Sequence, residues 1–225
     1  MTAIRVEQLG KSFRHFQVLK NVSFEVEAGK CCGLFGPNGA GKTTLLKILA
    51  TLERPSAGRF QMMGHDGVRD RNRVREAMLM LAHGSYLYND LDATENLRFA
   101  LALRGLSSGD RDLKLALDRV GIGAFADFKI RTFSEGMKKR LSIAKAMLIR
   151  PRVLLMDEPY SSLDERGMKL MNLFIRENTD RGAAVLMTSH NRLQAAEVAS
   201  QAGVLHQGVL RPITVKDLVS THELF

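Results

Sequence analysis

A segment near the start of the chain, Gly36–Thr44, combines glycines with one lysine and two threonines in the order GPNGAGKTT. It fits the pattern G-x-x-x-x-G-K-[ST], in which glycines let backbone N–H groups surround phosphate oxygens and a following helix N-terminus adds positive potential. In such a loop Lys42 reaches the β- and γ-phosphates, and the Thr43 hydroxyl ligates Mg²⁺. The segment therefore predicts a nucleotide-phosphate site rather than a plain glycine turn. Its candidate binding residues are Gly36, Pro37, Asn38, Gly39, Ala40, Gly41, Lys42, Thr43 and Thr44.

Two carboxylates, Asp157 and Glu158, directly follow the apolar run Val153–Met156. An aspartate at the end of a strand can hold Mg²⁺, directly or through water. The next carboxylate is placed to orient or deprotonate an attacking water, which makes Glu158 the candidate catalytic base. His190 ends a second apolar run, and its imidazole is the candidate group for contacting the γ-phosphate or positioning that water, with a purely structural role as the alternative.

A further candidate site is the segment Ser134–Gly136, which directly precedes a basic helical segment. A serine before a helix is an ordinary N-cap. A hydroxyl and a glycine N–H at a helix N-terminus also form an anion site. This site and Lys42 both suit a γ-phosphate, and the sequence leaves open whether one chain brings them together.

Apolar periodicity predicts the elements that position these residues. Alternation indicates strands of a small antiparallel sheet, short apolar runs indicate buried strands, and three-to-four spacing indicates helices. The predicted strands are 2–8, 22–27, 30–35, 78–82, 153–158, 183–190 and a hairpin at 202–211, and the predicted helices are 42–51, several segments of 92–149, and 168–177. The fold class is α/β, with a mostly helical segment at 84–150 inserted into one nucleotide-binding domain.

Composition excludes several classes of protein. The 225 residues are 45% hydrophobic and 25% charged, which rules out wholesale disorder, and no apolar run is long enough for a membrane span or a secretory signal. Adjacent Cys31 and Cys32 suit buried thiols in a reducing compartment rather than a disulfide. The net charge of +9 suits an anionic partner, but the basic runs Arg69–Arg75 and Met137–Lys145 contain no interleaved aromatics, which favours solvated helix faces over a nucleic-acid surface.

Taken in order, these motifs resemble the ATP-binding cassette family, the motor subunits of ABC transporters, over residues 3 to about 210. The resemblance makes Gly36–Thr44 the Walker A motif and Val153–Asp157 the Walker B motif, followed by the family's catalytic carboxylate at Glu158. It also makes Ser161–Asp164 the D-loop and His190 the switch histidine. Phe13 falls where the family places the aromatic residue that stacks on adenine.

The resemblance implies a RecA-like P-loop core with an antiparallel β subdomain (1–83 and 151–210), a helical insertion carrying the signature motif (84–150), and a C-terminal tail (211–225). It also implies that Ser134 and Gly136 contact the ATP held by a second chain, so that two Mg-ATP are sandwiched in a homodimer or in a pseudo-symmetric dimer with another ABC subunit. The implied partners are integral membrane transporter subunits, with no specific nucleic acid, and the implied location is peripheral, on the cytoplasmic face of the cell membrane.

The sequence departs from the family pattern at three places. The signature reads FSEGM instead of Leu-Ser-Gly-Gly-Gln, so Ser134 and Gly136 are retained while their neighbours differ. His83 stands where the family has the Q-loop glutamine, and is either a metal ligand or a loop histidine. Tyr160 stands where threonine is commoner. The segment at 82–106, with its histidine, is similar to the haem-exporter branch of cytochrome c maturation, and also to ABC-2-type drug, lipid or polysaccharide exporters.

Other functional classes remain as alternatives. A soluble ABC ATPase acting on DNA or ribosomes would suit the positive charge, but repair-type members need a long coiled-coil insertion and translation-type members need two cassettes. A GTPase or small-molecule kinase would need a guanine-recognition motif or an acceptor pocket, neither of which is evident. A regulator that only binds ATP is disfavoured by the intact Lys42, Glu158 and His190.

Overall fold

A computed structural model describes residues 1–82 and 86–220 of the chain. The chain divides into two compact units, which we call the core unit and the helical unit. The core unit comprises Met1–Met80, Pro151–Pro159 and Ile175–Phe225, and the helical unit comprises Leu81–Arg150 and Tyr160–Phe174. Within the described ranges, no helix is both long enough and apolar enough to cross a bilayer.

The strands and α-helices follow the α/β order expected from the sequence. The strands are β1 (Thr2–Phe13), β2 (Phe16–Glu27), β3 (Cys31–Phe35), β4 (Ala57–Met62), β5 (His65–Asp66), β6 (Met78–Leu81), β7 (Val153–Asp157), β8 (Ala184–Thr188), β9 (Gln201–His206) and β10 (Val209–Ile213). The helices are α1 (Lys42–Leu49), α2 (Arg71–Ala77), α3 (Ala93–Ala102), α4 (Asp110–Arg119), α5 (Glu135–Ile149), α6 (Glu165–Asp180), α7 (Arg192–Ala196) and α8 (Val215–Ser220).

The core unit contains a four-stranded antiparallel sheet in the order β2-β1-β4-β5. The predicted antiparallel pair is confirmed, but the prediction that its first strand ends at residue 8 was wrong, because β1 continues to Phe13. The register between β1 and β2 shifts between Val6 and Leu9, and Gln8 has a φ of 50°. Such irregularities interrupt the strict alternation of side chains, so the periodic pattern ends before the strand does.

The second sheet has six strands in the order β10-β9-β3-β8-β7-β6. The strands β3, β7 and β8 are parallel neighbours, and every residue in them is buried, which confirms the predicted buried strands. Cys31 and Cys32 are free, buried thiols in β3. Burial raises the pKa of Cys32 to about 12 and that of Cys31 as well, so both thiols are kept protonated as small apolar residues.

Part of the basic run at 69–75 has a structural role. Arg71 Nη2 donates to the carbonyl oxygen of Thr51 at 2.6 Å, and Arg75 Nε donates to the Thr51 hydroxyl at 2.8 Å. Thr51 follows the C-terminal end of α1, where backbone carbonyls lack helical partners and cations are stabilised by the helix dipole. These two arginines therefore stabilise the end of the helix that begins at the phosphate-loop lysine.

Apolar periodicity missed the short elements β4, β5, α7 and α8, the last of which lies in the segment expected to be a tail. It also did not indicate α2, although the reading of the basic run Arg69–Arg75 as a solvated helix face did. Only Val74 and Ala77 are buried in α2, so a seven-residue helix of this kind shows no complete apolar stripe.

In the helical unit, the predicted helical segment at 92–149 is confirmed as α3, α4 and α5. Asp92 caps α3 by accepting from Glu95 N at 2.8 Å, while the Glu95 carboxylate accepts from Asp92 N. Arg140 of α5 donates to the carbonyl oxygen of Val120, which follows α4. The last of these contacts ties α5, the helix that begins directly after Ser134, to the end of α4.

Candidate active site

The loop between β3 and α1 requires glycine at two positions. Gly36 has a φ of 147°, and a Cβ there would lie 2.1 Å from the carbonyl oxygen of Leu205. Gly41, the N-cap of α1, has a φ of 103°, and a Cβ there would lie 2.8 Å from a methyl carbon of Leu19. The loop thus leads from the end of a buried strand into a helix N-terminus, whose first N–H groups have no partners within the helix. This is the geometry of a phosphate site.

The Lys42 side chain is buried against this loop. Its Nζ donates to the carbonyl oxygens of Gly36 at 2.7 Å and Pro37 at 3.0 Å. Burial lowers the pKa of the ammonium, while the charges of Glu158 and Asp157 act in the opposite direction. The loop therefore holds a cation at its own backbone, next to the N-terminus of α1.

Two threonine hydroxyls bind the Asp157 carboxylate at the end of β7. Thr43 Oγ1 donates to Asp157 Oδ2 at 2.9 Å, and Thr188 Oγ1 donates to Asp157 Oδ1 at 2.7 Å. The structure thus brings together Thr43 and Asp157, the two described residues predicted to hold the metal. Their hydroxyl and carboxylate oxygens fit Mg²⁺, which binds through one or two protein oxygens plus substrate phosphates. In the part of the chain that the structure describes, no cluster of three His, Cys, Asp or Glu side chains offers a different kind of metal site.

The Glu158 carboxylate is partly exposed and lies beside His190. Its Oε2 accepts from the backbone N of His190 at 3.0 Å, and its Oε1 lies 3.3 Å from His190 Nε2. Glu158 adopts a φ of 50°, an uncommon conformation for a residue with a side chain. The ends of β7 and β8 therefore bring the predicted base and the predicted histidine together.

Phe13 lies at the end of β1, paired with Phe16 across the turn to β2. Its side chain is 45% exposed, and Lys11 Nζ lies 4.6 Å from the centre of the ring. An exposed aromatic ring on this hairpin is available for stacking, which is the role that the family resemblance implies. The same hairpin contacts the phosphate loop, because Gly41 packs against Val18 and Leu19 of β2.

Ser134 and Gly136 lie at the start of α5 in the helical unit. The Ser134 hydroxyl caps the helix by accepting from Met137 N at 3.2 Å. A Cβ at Gly136 would lie 2.9 Å from the carbonyl oxygen of Ser162. The carboxylate of Glu135, one of the departures from the family signature, is paired with Lys138 at 2.8 Å, which offsets the negative charge it adds at this helix end. The N-cap and the glycine are thus retained in a local environment that still suits an anion.

The structure gives Tyr160 a role that the sequence did not suggest. Its hydroxyl donates to Asn172 Oδ1 at 2.7 Å, and both side chains are buried in the helical unit. This bond ties the start of the segment Ser161–Asp164 to α6. Arg140 Nη2 donates to Asp164 Oδ1 at 2.9 Å, which ties the same segment to α5.

His83, predicted as a possible metal ligand, lies outside the described residues. Thr188 was not identified as a site residue, although it bonds to the predicted metal ligand. The available signal was its place at the end of the apolar run before His190, directly across from Asp157 in a parallel sheet.

Comparison with known proteins places these features in a family. A family model described as ABC transporter matches residues 19–161. The chain is 37% identical over 207 residues to the uncharacterized ABC transporter ATP-binding protein YxlF of Bacillus subtilis, covering 91% of this chain and 68% of that protein. It is 32% identical over 213 residues to the sulfate/thiosulfate import ATP-binding protein CysA of Synechococcus elongatus, covering 93% of this chain and 62% of that protein.

A solved structure shares the fold. It is an ATP-binding cassette in a dimeric, post-hydrolysis state bound to ADP and Pi, with a TM-score of 0.86 and 23% sequence identity, covering 94% of this chain and 98% of that one. At this identity the likeness shows the fold, which is the α/β cassette with an antiparallel β sheet expected from the sequence.

Proposed function

This chain belongs to the ABC transporter family of ATP-binding proteins, and on that premise we propose that its phosphate loop and the ends of β7 and β8 form an ATP-hydrolysing site that drives a transporter. The observation that carries the proposal is the arrangement of Thr43, Asp157, Glu158 and His190 around the ends of two adjacent parallel strands. Ligands of open α/β sheets bind at the carboxyl ends of such strands.

The residues of the phosphate loop, the ends of β7 and β8 and the β1–β2 hairpin have distinct roles in the proposed reaction. Lys42 and the N-terminus of α1 bind the β- and γ-phosphates. Thr43 and Asp157 hold Mg²⁺, which when bound neutralises charge on the transferring phosphoryl group. Glu158 orients and deprotonates the attacking water, and the adjacent His190 contacts the γ-phosphate and keeps the Glu158 carboxylate in place. Phe13 stacks on the adenine ring.

We propose that a second chain completes this site. Ser134 and Gly136 of one chain bind the γ-phosphate of the ATP held by the Lys42 loop of the other, in a homodimer or in a pseudo-symmetric dimer with another ABC subunit. The N-cap geometry of α5, a helix of 15 residues, supports this anion-binding role. The dimeric state described for the structurally similar cassette supports the arrangement.

The proposed membrane partners are separate integral membrane subunits, at whose cytoplasmic face this chain acts. YxlF is uncharacterized, and CysA is a sulfate/thiosulfate import ATP-binding protein. Neither relative therefore supports the resemblance of residues 82–106 to haem exporters. Because the chain is similar over most of its length to the ATP-binding protein of an importer, its resemblance to exporters defines neither cargo nor direction. The proposal therefore extends to an ATPase subunit and not to a particular cargo.

The test of this proposal is Mg²⁺-dependent ATP turnover together with the mass of Glu158→Gln in solution. We expect the wild-type protein to hydrolyse ATP in preference to GTP, and the variant to form a dimer with ATP that is not formed with ADP. Glu76→Gln, a change of an exposed glutamate on α2, is the matched control. A protein that neither binds nor hydrolyses ATP, or that binds DNA or ribosomes at physiological salt, would contradict the proposal.

A further inference from the structure

Thr188 is the last residue of β8 and stands in register with Asp157, the last residue of β7. Neighbouring residues in register project their side chains from the same face of a sheet. Thr188 is fully buried, with 0% of its surface exposed. Its hydroxyl is therefore held in a fixed place beside the carboxylate predicted to hold the metal.

The direction of both hydrogen bonds at this hydroxyl follows from chemistry. A backbone N–H can only donate, so Thr188 Oγ1 accepts from Glu158 N, at 3.0 Å. A hydroxyl carries a single hydrogen, which is then directed to Asp157 Oδ1 at 2.7 Å. One side chain thus joins the carboxylate of Asp157 to the backbone of Glu158.

These two bonds restrain the two acidic residues in different ways. The Asp157 carboxylate has one oxygen bound by Thr188 and the other bound by Thr43, so its plane cannot rotate without breaking a bond. The Glu158 backbone has a φ of 50°, a conformation that costs free energy and persists only where the surroundings enforce it. From this conformation the Glu158 side chain reaches the backbone N–H of His190.

We propose that Thr188 is a positioning residue for hydrolysis, which orients Asp157 toward the metal and Glu158 toward the attacking water through a single hydroxyl. This inference rests on the ATPase function proposed above. It requires the hydroxyl and not the size of the side chain. Serine at position 188 should therefore preserve this role, whereas valine, which has nearly the same shape as threonine but no hydroxyl, should not.

The first experiment compares Thr188→Val with Thr188→Ser in steady-state ATP hydrolysis over a series of Mg²⁺ concentrations. We expect valine to lower kcat at least about tenfold, since hydrogen bonds to charged groups are the stronger ones. It should also raise the Mg²⁺ concentration for half-maximal rate. Affinity for ATP without Mg²⁺ should stay within about twofold of wild type, because Lys42 and the phosphate loop are unchanged, and serine should restore both kinetic values.

The matched control is Thr2→Val, on β1. It removes a threonine hydroxyl that likewise donates to a carboxylate, Glu25 Oε2 at 3.1 Å, in the antiparallel sheet. It should leave kcat and the Mg²⁺ dependence unchanged. Equal losses in Thr188→Val and Thr188→Ser, or a Thr188→Val enzyme within twofold of wild type in both values, would overturn the inference.

A second measurement needs neither nucleotide nor metal. Amide hydrogen exchange is measured by NMR on the folded, nucleotide-free protein. The Glu158 amide should be protected in the wild type and in Thr188→Ser, and should exchange faster in Thr188→Val. If the Thr188→Val protein does not fold, Thr188→Ala takes its place. An unprotected Glu158 amide in the wild type would overturn the inference. A wild-type protein with this protection but without ATP turnover would instead refute the proposed function.

Discussion

Replacing Lys42 by methionine removes the cation from the phosphate loop while keeping most of the side-chain volume. In the structure the Lys42 ammonium is buried and donates to the Gly36 and Pro37 carbonyls at 2.7 and 3.0 Å, which places it within reach of an anion bound to the loop. A hydrogen bond to a charged group contributes about 1.5–3 kcal/mol. The loss of one such bond to a phosphate corresponds to a rise of about 10- to 150-fold in the Kd for ATP.

The assay is equilibrium binding of a fluorescent ATP analogue, with thermal unfolding as a check on folding. The control is Lys47→Met, a change of an exposed lysine on the same helix α1, which should leave the Kd unchanged. We expect the nucleotide-free Lys42→Met protein to be about as stable as wild type, because the lost hydrogen bonds and the removed desolvation of a buried cation oppose each other. A Kd within twofold of wild type would refute the assignment of Lys42 to the phosphates.

The pH dependence of binding provides a further check on Lys42. Burial lowers the pKa of its ammonium, and the charges of Glu158 and Asp157 only partly oppose this. A lysine with a lowered pKa loses its charge, as pH rises, earlier than an ordinary lysine does. Lysine ordinarily titrates near pH 10.4, so the affinity of the wild-type protein for ATP should begin to weaken at a pH below that value. Lys42→Met should lack the part of this weakening that comes from loss of the Lys42 charge.

Three other predictions concern single side chains. Glu158→Gln should lower kcat at least about 100-fold with little change in ATP affinity. Glutamine keeps an oxygen that can accept from the His190 backbone N–H, but it cannot accept a proton from water. A rate within threefold of wild type in a turnover assay would contradict the assignment of Glu158 as the base. Tyr160→Phe should lower the free energy of unfolding by about 1–3 kcal/mol in urea titration, because it removes the buried hydrogen bond to Asn172. The control Tyr86→Phe, at an exposed tyrosine, should have no measurable effect. Equal effects of the two changes would show that the buried hydrogen bond is unimportant. Cys31 and Cys32 should react with a thiol reagent only at the rate of unfolding, since burial raises both pKa values, and fast labelling of the native protein would contradict their burial.

Most of what positions the proposed site could be predicted from the sequence. The phosphate loop, β7 and β8 have strong signals, because fully buried parallel strands appear as unbroken apolar runs and the glycines of the loop have fixed spacing. The sequence therefore placed Asp157, Glu158 and His190 at strand ends that the structure shows to be adjacent.

The remaining features depend on long-range contacts that no local pattern records. Thr188 gains its importance only through its register with Asp157, a residue of another strand. Tyr160 is explained only by a partner on α6, and the arginines of α2 only by the end of α1. The full length of β1 was missed for a local reason, since its bulges break the alternation on which strand prediction relies.

In the proposed dimer one ATP is bound by two chains, and a mixing experiment tests this arrangement most directly. Lys42→Met and Ser134→Ala are purified separately, and each alone should hydrolyse ATP very slowly. In a mixed dimer one site combines an intact Lys42 from one chain with an intact Ser134 from the other, so mixing should restore a clear fraction of wild-type turnover. If both residues served an ATP bound within a single chain, no mixture could contain an intact site, and turnover that stays at the level of the separate variants would contradict the account.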